Sequence, residues 1–154
     1  MSNLSINIKL LTDQAKMPEK AHADDACFDI YSDFTNLNLG LEDVLSVPPH
    51  TTVKVPTGFA TEIPHGYWCP IYARSGIATK EGLRLAQGVA VIDENYRGEW
   101  MIPIHNDTDQ MRYIRHNERI AQFNLMENFN PTLNVVDSLS DTDRGVGGFG
   151  SSGK

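Results

Sequence analysis

The sequence predicts an all-β fold in which short strands close as a sandwich, jelly roll or barrel. Three features predict it. Apolar and polar residues alternate with period two in several separate segments, as strands with one buried face do. Eight prolines and twelve glycines punctuate the 154 residues, which keeps those segments short. No long apolar stripe with a period of 3.6 residues runs through the chain, and a packed helix would require one.

Each element follows in order. Leu4, Ile6, Ile8 and Leu10 alternate with Ser5, Asn7 and Lys9, predicting a strand with one buried face. Phe28-Asp29-Ile30 predicts a strand that turns Asp29 away from Phe28. Val53 and Val55 flank Lys54 between turns at Pro48-Pro49 and Pro56-Thr57-Gly58, and Pro64-His65-Gly66 marks the next turn. Ala78-Thr79-Lys80-Glu81 predicts a short helical turn that ends at Gly82. Trp100, Ile102 and Ile104 form one further strand, and Ala121, Phe123 and Leu125 another. The last eleven residues, Arg144 to Lys154, hold five glycines. Glycine loses the most backbone entropy on ordering, so residues 138–154 are predicted to be a flexible arm and residues 1–137 the folded domain.

A net charge of −7 argues against a general nucleic-acid or membrane surface. A polyanion bound here would be small and held by a local set of donors. Cys27 and Cys69 show neither metal-ligand spacing nor a disulfide framework, and both read as buried, inert thiols. Met1-Ser-Asn-Leu-Ser5 lacks the basic start of a secretory leader, and no apolar stretch reaches membrane-spanning length. A cytoplasmic, reducing setting fits. The five histidines form no cluster. No serine or cysteine sits in a nucleophile elbow, and Gly145 to Gly150 make neither a dinucleotide fingerprint nor a P-loop.

Five segments carry chemistry. Asp24-Asp-Ala-Cys-Phe-Asp29 offers three carboxylates to a hard cation, or is a solvated acidic turn. Arg74, Ser75 and the Gly76 N–H make an anion cradle, or an ordinary helix start beside a solvated arginine. Gly88 to Trp100 delivers Asp93 from an apolar run to a turn, as a general base with a raised proton affinity or as a turn residue bonding its own backbone. In the same segment Tyr96 reads as a packed aromatic, and Arg97 and Glu99 as paired surface charges. In Arg119-Ile-Ala-Gln-Phe123, Gln122 is a polar residue in an apolar strand, by default on its solvent face. The arm supplies Arg144 as a phosphate fork, Phe149 as a stacking ring, and Gly150, Ser151 and Ser152 as anion donors.

In this order the segments resemble the five motifs of the trimeric dUTPases, from about Ala26 to Gly153: Ala26-Cys-Phe-Asp29, Arg74-Ser-Gly-Ile-Ala78, Gly88 to Glu99, Arg119-Ile-Ala-Gln122, and Arg144 to Gly153. The resemblance implies a jelly-roll-like subunit, a homotrimer with shared sites, an arm that closes over a neighbour's site, and Mg2+-assisted hydrolysis of dUTP to dUMP and pyrophosphate. That reaction limits dUTP and supplies dUMP for dTTP synthesis. Asp93 would activate the attacking water, and Tyr96 would press on the deoxyribose and reject UTP. Gln87 to Val91 would frame uracil. Arg74, Ser75, Gly76 and Gln122 would hold phosphate, and Asp29 would meet the metal through water. Arg144 would grip the terminal phosphate, Phe149 would stack on uracil, and Gly150, Ser151 and Ser152 would complete the cradle.

Several positions depart from the motifs' usual residues: Cys27, Ala90 and Asn117 stand where glycine is common, Ala73 for proline, Gln87 for asparagine, and Asn95 for a second aspartate. Gln87 bears most directly on base recognition. Two other functions share the same framework. One is dCTP deamination, which needs a water-activating group beside the cytosine ring. The other is regulation of a protein partner gated by dUTP.

Overall fold

The computed structural model describes residues 4–37, 39 and 43–148. Among the described residues twelve short strands follow one another: β1 (Asn7–Leu10), β2 (Phe28–Tyr31), β3 (Val44–Val47), β4 (Thr52–Pro56), β5 (Phe59–Glu62), β6 (Tyr67–Ala73), β7 (Leu83–Leu85), β8 (Ala90–Ile92), β9 (Met101–Asn106), β10 (Arg112–Arg115), β11 (Arg119–Phe123) and β12 (Met126–Glu127). One π-helical turn, Ile77–Glu81, lies between β6 and β7. The fold is all-β and jelly-roll-like, as the alternation predicts. None of the described helices is long and apolar enough to cross a membrane.

All strand pairs are antiparallel. Strand β6 is the hub of the largest sheet. It pairs with β11 over Ile71–Ala73, with β12 over Tyr67 and Trp68, and with β8 over Cys69–Ile71, while β11 pairs onward with β2. A second sheet runs β4–β9–β7, and two pairs, β1–β5 and β3–β10, complete the set. Inward residues of these sheets meet in one core. Trp100 sits at its centre, 5.1 Å from the Phe59 ring and 4.9 Å edge-on to Phe123. Its indole N–H donates to Thr61 Oγ1 at 3.1 Å, so the largest buried side chain leaves no donor unpaired. Truncation of Trp100 to alanine would cost about 3–5 kcal/mol.

The helical turn forms one residue earlier than the sequence predicts and ends at Gly82 as expected. Gly82 takes φ +65°, and its N–H returns to Ile77 O, a left-handed stop that favours glycine. Asn117 also takes a left-handed φ, +61°, which asparagine tolerates better than most residues. That accounts for asparagine at a position where the motif pattern has glycine.

Three expectations need correction. The first strand buries little: Ile6 and Ile8 pack on the core, while Leu4 and Leu10 remain exposed, because β1 pairs only with β5 at the molecule's margin. Cys69 is buried, and burial pushes its thiol up to about 12, but Cys27 is half-buried and lines a cavity. Arg97 donates to the carbonyls of Glu94 and Tyr96, while Glu99 accepts the N–H groups of Thr57 and Gly58 at 3.2 and 2.8 Å. The two are not a surface pair. Glu99 instead closes the turn between β4 and β5.

Candidate active site

Strand register places the first group of site residues. Gln122 on β11 lies opposite Asp29 on β2 and opposite Tyr72 on β6. Arg74 and Ser75 follow directly where β6 ends at Ala73. A cavity of about 400 Å³ opens there, lined by Asp25, Cys27, Asp29, Arg74, Ser75, Arg119 and Gln122 among others. Its size lies in the range of small-ligand clefts.

The cavity is organised around a buried carboxylate. Asp29 is only 9% exposed. Arg74 Nε donates to its Oδ1 at 2.8 Å, and Arg119 Nη1 donates to its Oδ2 at 3.1 Å. Arg74 Nη1 also reaches the carbonyl of Arg119 at 3.3 Å. One carboxylate between two guanidinium groups leaves that trio with one net positive charge. It also fixes the Arg74 fork, so its remaining N–H groups are held ready for an anion. Gln122 is not on an open solvent face. Its Nε2 donates to Ala73 O at 3.0 Å, which uses one of its two amide N–H groups and keeps the other for a ligand. Gly76 lines a neighbouring cavity of about 290 Å³ that shares Arg74 and Arg119.

Arg119 is the residue the alternation hides. Residues 119 and 122 are three apart and would face opposite sides of a regular strand. A register shift lies between Arg119 and Ala121, so Arg119 pairs with Tyr31 and Ala121 with Ile30. The extra residue of a bulge turns Arg119 to the side of Gln122. Nothing in the local sequence marks the bulge except two consecutive buried residues, Ile120 and Ala121.

The second group lies elsewhere. Gln87 and Gly88 form a turn after β7, in which the N–H of Val89 returns to Gln87 O at 3.0 Å. Val91 is exposed on β8. Asp93 follows β8 and is exposed, and its carbonyl accepts the Tyr96 N–H at 3.1 Å. Its surroundings in the single chain are therefore open rather than the apolar pocket that its preceding run implies. Tyr96 is half-exposed, with its hydroxyl donating to Glu99 O at 2.9 Å. These residues do not line the cavity with Arg74. Ile92 pairs with Cys69, so Asp93 leaves the sheet beside Trp68, six residues along β6 from Arg74. At about 3.3 Å per residue the two ends are separated by roughly 20 Å.

The arm supplies the third group. After Glu127 no further strand forms among the described residues, and residues 128–146 are exposed. This exposed stretch starts about ten residues ahead of the division at 138. Arg144 donates from Nε to Gly147 O at 2.8 Å within its own turn. Phe149, Gly150, Ser151 and Ser152 lie outside the described residues.

Comparison with known proteins identifies this arrangement. A family model described as dUTPase matches residues 13–153. A deoxyuridine 5'-triphosphate nucleotidohydrolase of Desulfitobacterium hafniense is 42% identical over 119 residues, covering 77% of this chain and 79% of that protein. One from Nautilia profundicola is 36% identical over 151 residues, covering 98% and 100%. The structure of the Staphylococcus bacteriophage 80alpha dUTPase with dUPNHPP aligns at a TM-score of 0.84 and 29% identity, covering 97% of this chain and 99% of that one. Matched along nearly its whole length in sequence and in strand arrangement, the chain belongs to the dUTPase family.

Proposed function

We propose that the protein hydrolyses dUTP to dUMP and pyrophosphate, with Asp93 as general base. Its carboxylate takes a proton from a water molecule that attacks the α-phosphorus. The bond to the oxygen bridging the α- and β-phosphorus atoms breaks, and pyrophosphate leaves. The observation that carries the reading is the convergence of Asp29, Arg74, Ser75, Arg119 and Gln122 from three distant segments on one cavity. The donors among them, Arg74, Ser75, Arg119 and Gln122, suit a polyphosphate, Asp29 holds the two guanidinium groups in place, and family membership supplies the reaction. Ser75, Gly76 and Gln122 join Arg74 on the phosphates in this reading. Gln87 and Val91 frame the uracil, and Tyr96 packs on the sugar. Arg144, Phe149, Gly150, Ser151 and Ser152 close from the arm, residues 138–154.

A single chain cannot bring Asp93 and Arg74 to one phosphate group across roughly 20 Å. We therefore propose a homotrimer in which each site takes its phosphate cradle from one chain and its Asp93 turn from another. The exposed apolar side chains of the stretch after Glu127, Phe129, Leu133, Val135, Val136 and Leu139, support such an assembly, because monomers rarely leave so many uncovered together.

Mg2+ fits this site in one way. Both oxygens of Asp29 already accept guanidinium N–H groups, and each retains a lone pair. Asp29 can thus hold a water of a hydrated ion but is poorly placed as a direct ligand, and no group of three or more ligating side chains occurs among the described residues. Mg2+ bound with the nucleotide would supply neutralisation of phosphate charge. The two free cysteines fit a reducing cytoplasm.

Pyrophosphate release measured across dUTP, dTTP, dCTP and UTP with Mg2+ tests the reading. Release from dUTP far above the others is the expected result. Ammonia release from dCTP would replace it with a deaminase.

A further inference from the structure

The turn that carries Tyr96 contains a glycine whose backbone does not require one. Gly98 is not among the glycines with positive φ, so its conformation is open to other residues. The space is not. A methyl carbon built on Gly98 would lie 2.5 Å from Tyr96 Oη, 2.7 Å from Cζ and 3.0 Å from Cε2. The ring of Tyr96 therefore rests on the bare Cα of Gly98. Its hydroxyl is tied to Glu99 O at 2.9 Å, and its N–H to Asp93 O at 3.1 Å.

The acceptor of that hydroxyl is itself anchored. Glu99 Oε1 holds the Thr57 and Gly58 N–H groups, and the next residue, Trp100, donates its N–H to Phe59 O at 3.0 Å. Trp100 O accepts Thr57 Oγ1 at 2.8 Å. The ring is thus seated on Gly98 and tethered to a backbone locked into the β4–β5 turn and the core, with no ligand required to place it.

We propose that Gly98 is a specificity-determining positioning residue: by having no side chain it seats the Tyr96 ring where the ring excludes a sugar 2'-hydroxyl. This inference rests on the reading of Tyr96 as the sugar contact. Selectivity by shape needs a wall that does not yield, since a ring that swings aside admits the larger sugar. A side chain at 98 meets the far end of a rotatable tyrosine rather than backbone, so the substitution displaces the ring and leaves the fold.

The test is the ratio of kcat/KM for dUTP to that for UTP in wild type, Gly98→Ala, Tyr96→Ala and the double variant, with thermal unfolding of each. Gly98→Ala is expected to lower the ratio by about tenfold or more, chiefly through UTP gaining rate. Adding Gly98→Ala to Tyr96→Ala is expected to change the ratio no further, because the seated ring is already gone. Tyr96→Phe, which keeps the ring and removes its tether, is expected to fall between. If Tyr96→Ala loses selectivity while Gly98→Ala keeps it, Gly98 does not position the ring. The same conclusion follows if Gly98→Ala is equally damaging in the Tyr96→Ala background. If Tyr96→Ala itself keeps the ratio, the sugar-contact reading fails and this inference falls with it.

Discussion

Asp93 and Asp33 show how surroundings divide the work of two identical side chains. Asp93, the proposed base, is exposed beyond the end of β8. Asp33 is 3% exposed and accepts from the hydroxyls of Thr12 and Thr35 and from the Thr35 N–H. Burial raises its proton affinity, but these hydrogen bonds and nearby His116 outweigh burial, so its carboxyl is held below its ordinary 3.8. A carboxyl lowered in the folded state stabilises above its unfolded value, about pH 4, and the stabilisation is lost as pH falls through the folded value. Asp33→Asn should therefore lower the thermal unfolding midpoint at pH 7 and differ less from wild type near pH 3. Parallel melting curves at both pH values would contradict this. Asp93→Asn should leave the unfolding midpoint almost unchanged and lower kcat by about a hundredfold or more, with nucleotide binding retained. Isothermal titration beside steady-state kinetics separates the two effects.

At the scale of elements, the bulge in β11 decides what the cavity contains. Without the register shift between Arg119 and Ala121, Arg119 would face away from Asp29 and the carboxylate would keep one guanidinium instead of two. Arg119→Ala is expected to raise KM for dUTP about tenfold, with a smaller change in kcat, because it loosens Arg74 without touching the attacking water. An unchanged KM would show that Asp29 alone holds the fork. Strands β1, β2, β4, β9 and β11 were legible in the sequence, because period-two alternation reports one buried face directly, whereas the hub strand β6 was not, because Tyr67 to Ala73 is an almost continuous apolar run. Trp100, Ile102 and Ile104 all lie in the core. The pairing of Gln122 with Asp29 was not legible, since register between strands some ninety residues apart leaves no local mark. The role of Arg119 was hidden for a sharper reason: a bulge reverses the parity on which alternation depends. At β1 the alternation overstated burial, because a marginal strand keeps the pattern without a partner layer over all of it.

At the scale of the molecule, the proposed site is split into two separate groups of residues. The cradle at the end of β6 and the Asp93 turn after β8 belong to one sheet, yet they open roughly 20 Å apart. The stretch after Glu127 carries exposed apolar side chains and Arg144. Motif order in the sequence identifies the parts and does not show that one chain keeps them separate. Removal of residues 144–154 should abolish most dUTP turnover while leaving the folded domain's unfolding midpoint within about 2 °C, since surface changes away from packed features stay small. A fully active truncated protein would make the arm dispensable.

The division of the site between chains is tested most directly by subunit mixing. Asp93→Asn and Arg74→Ala chains, each nearly inactive alone, are unfolded together in equal amounts, refolded, and assayed for pyrophosphate release from dUTP. Native mass spectrometry establishes that mixed oligomers have formed. A site that joins the Arg74 cradle of one chain to the Asp93 of another is intact in about one quarter of random pairings in a closed ring, so about a quarter of wild-type activity should return. Mixed oligomers no more active than their parents would place both residues in one chain's site and contradict the shared arrangement.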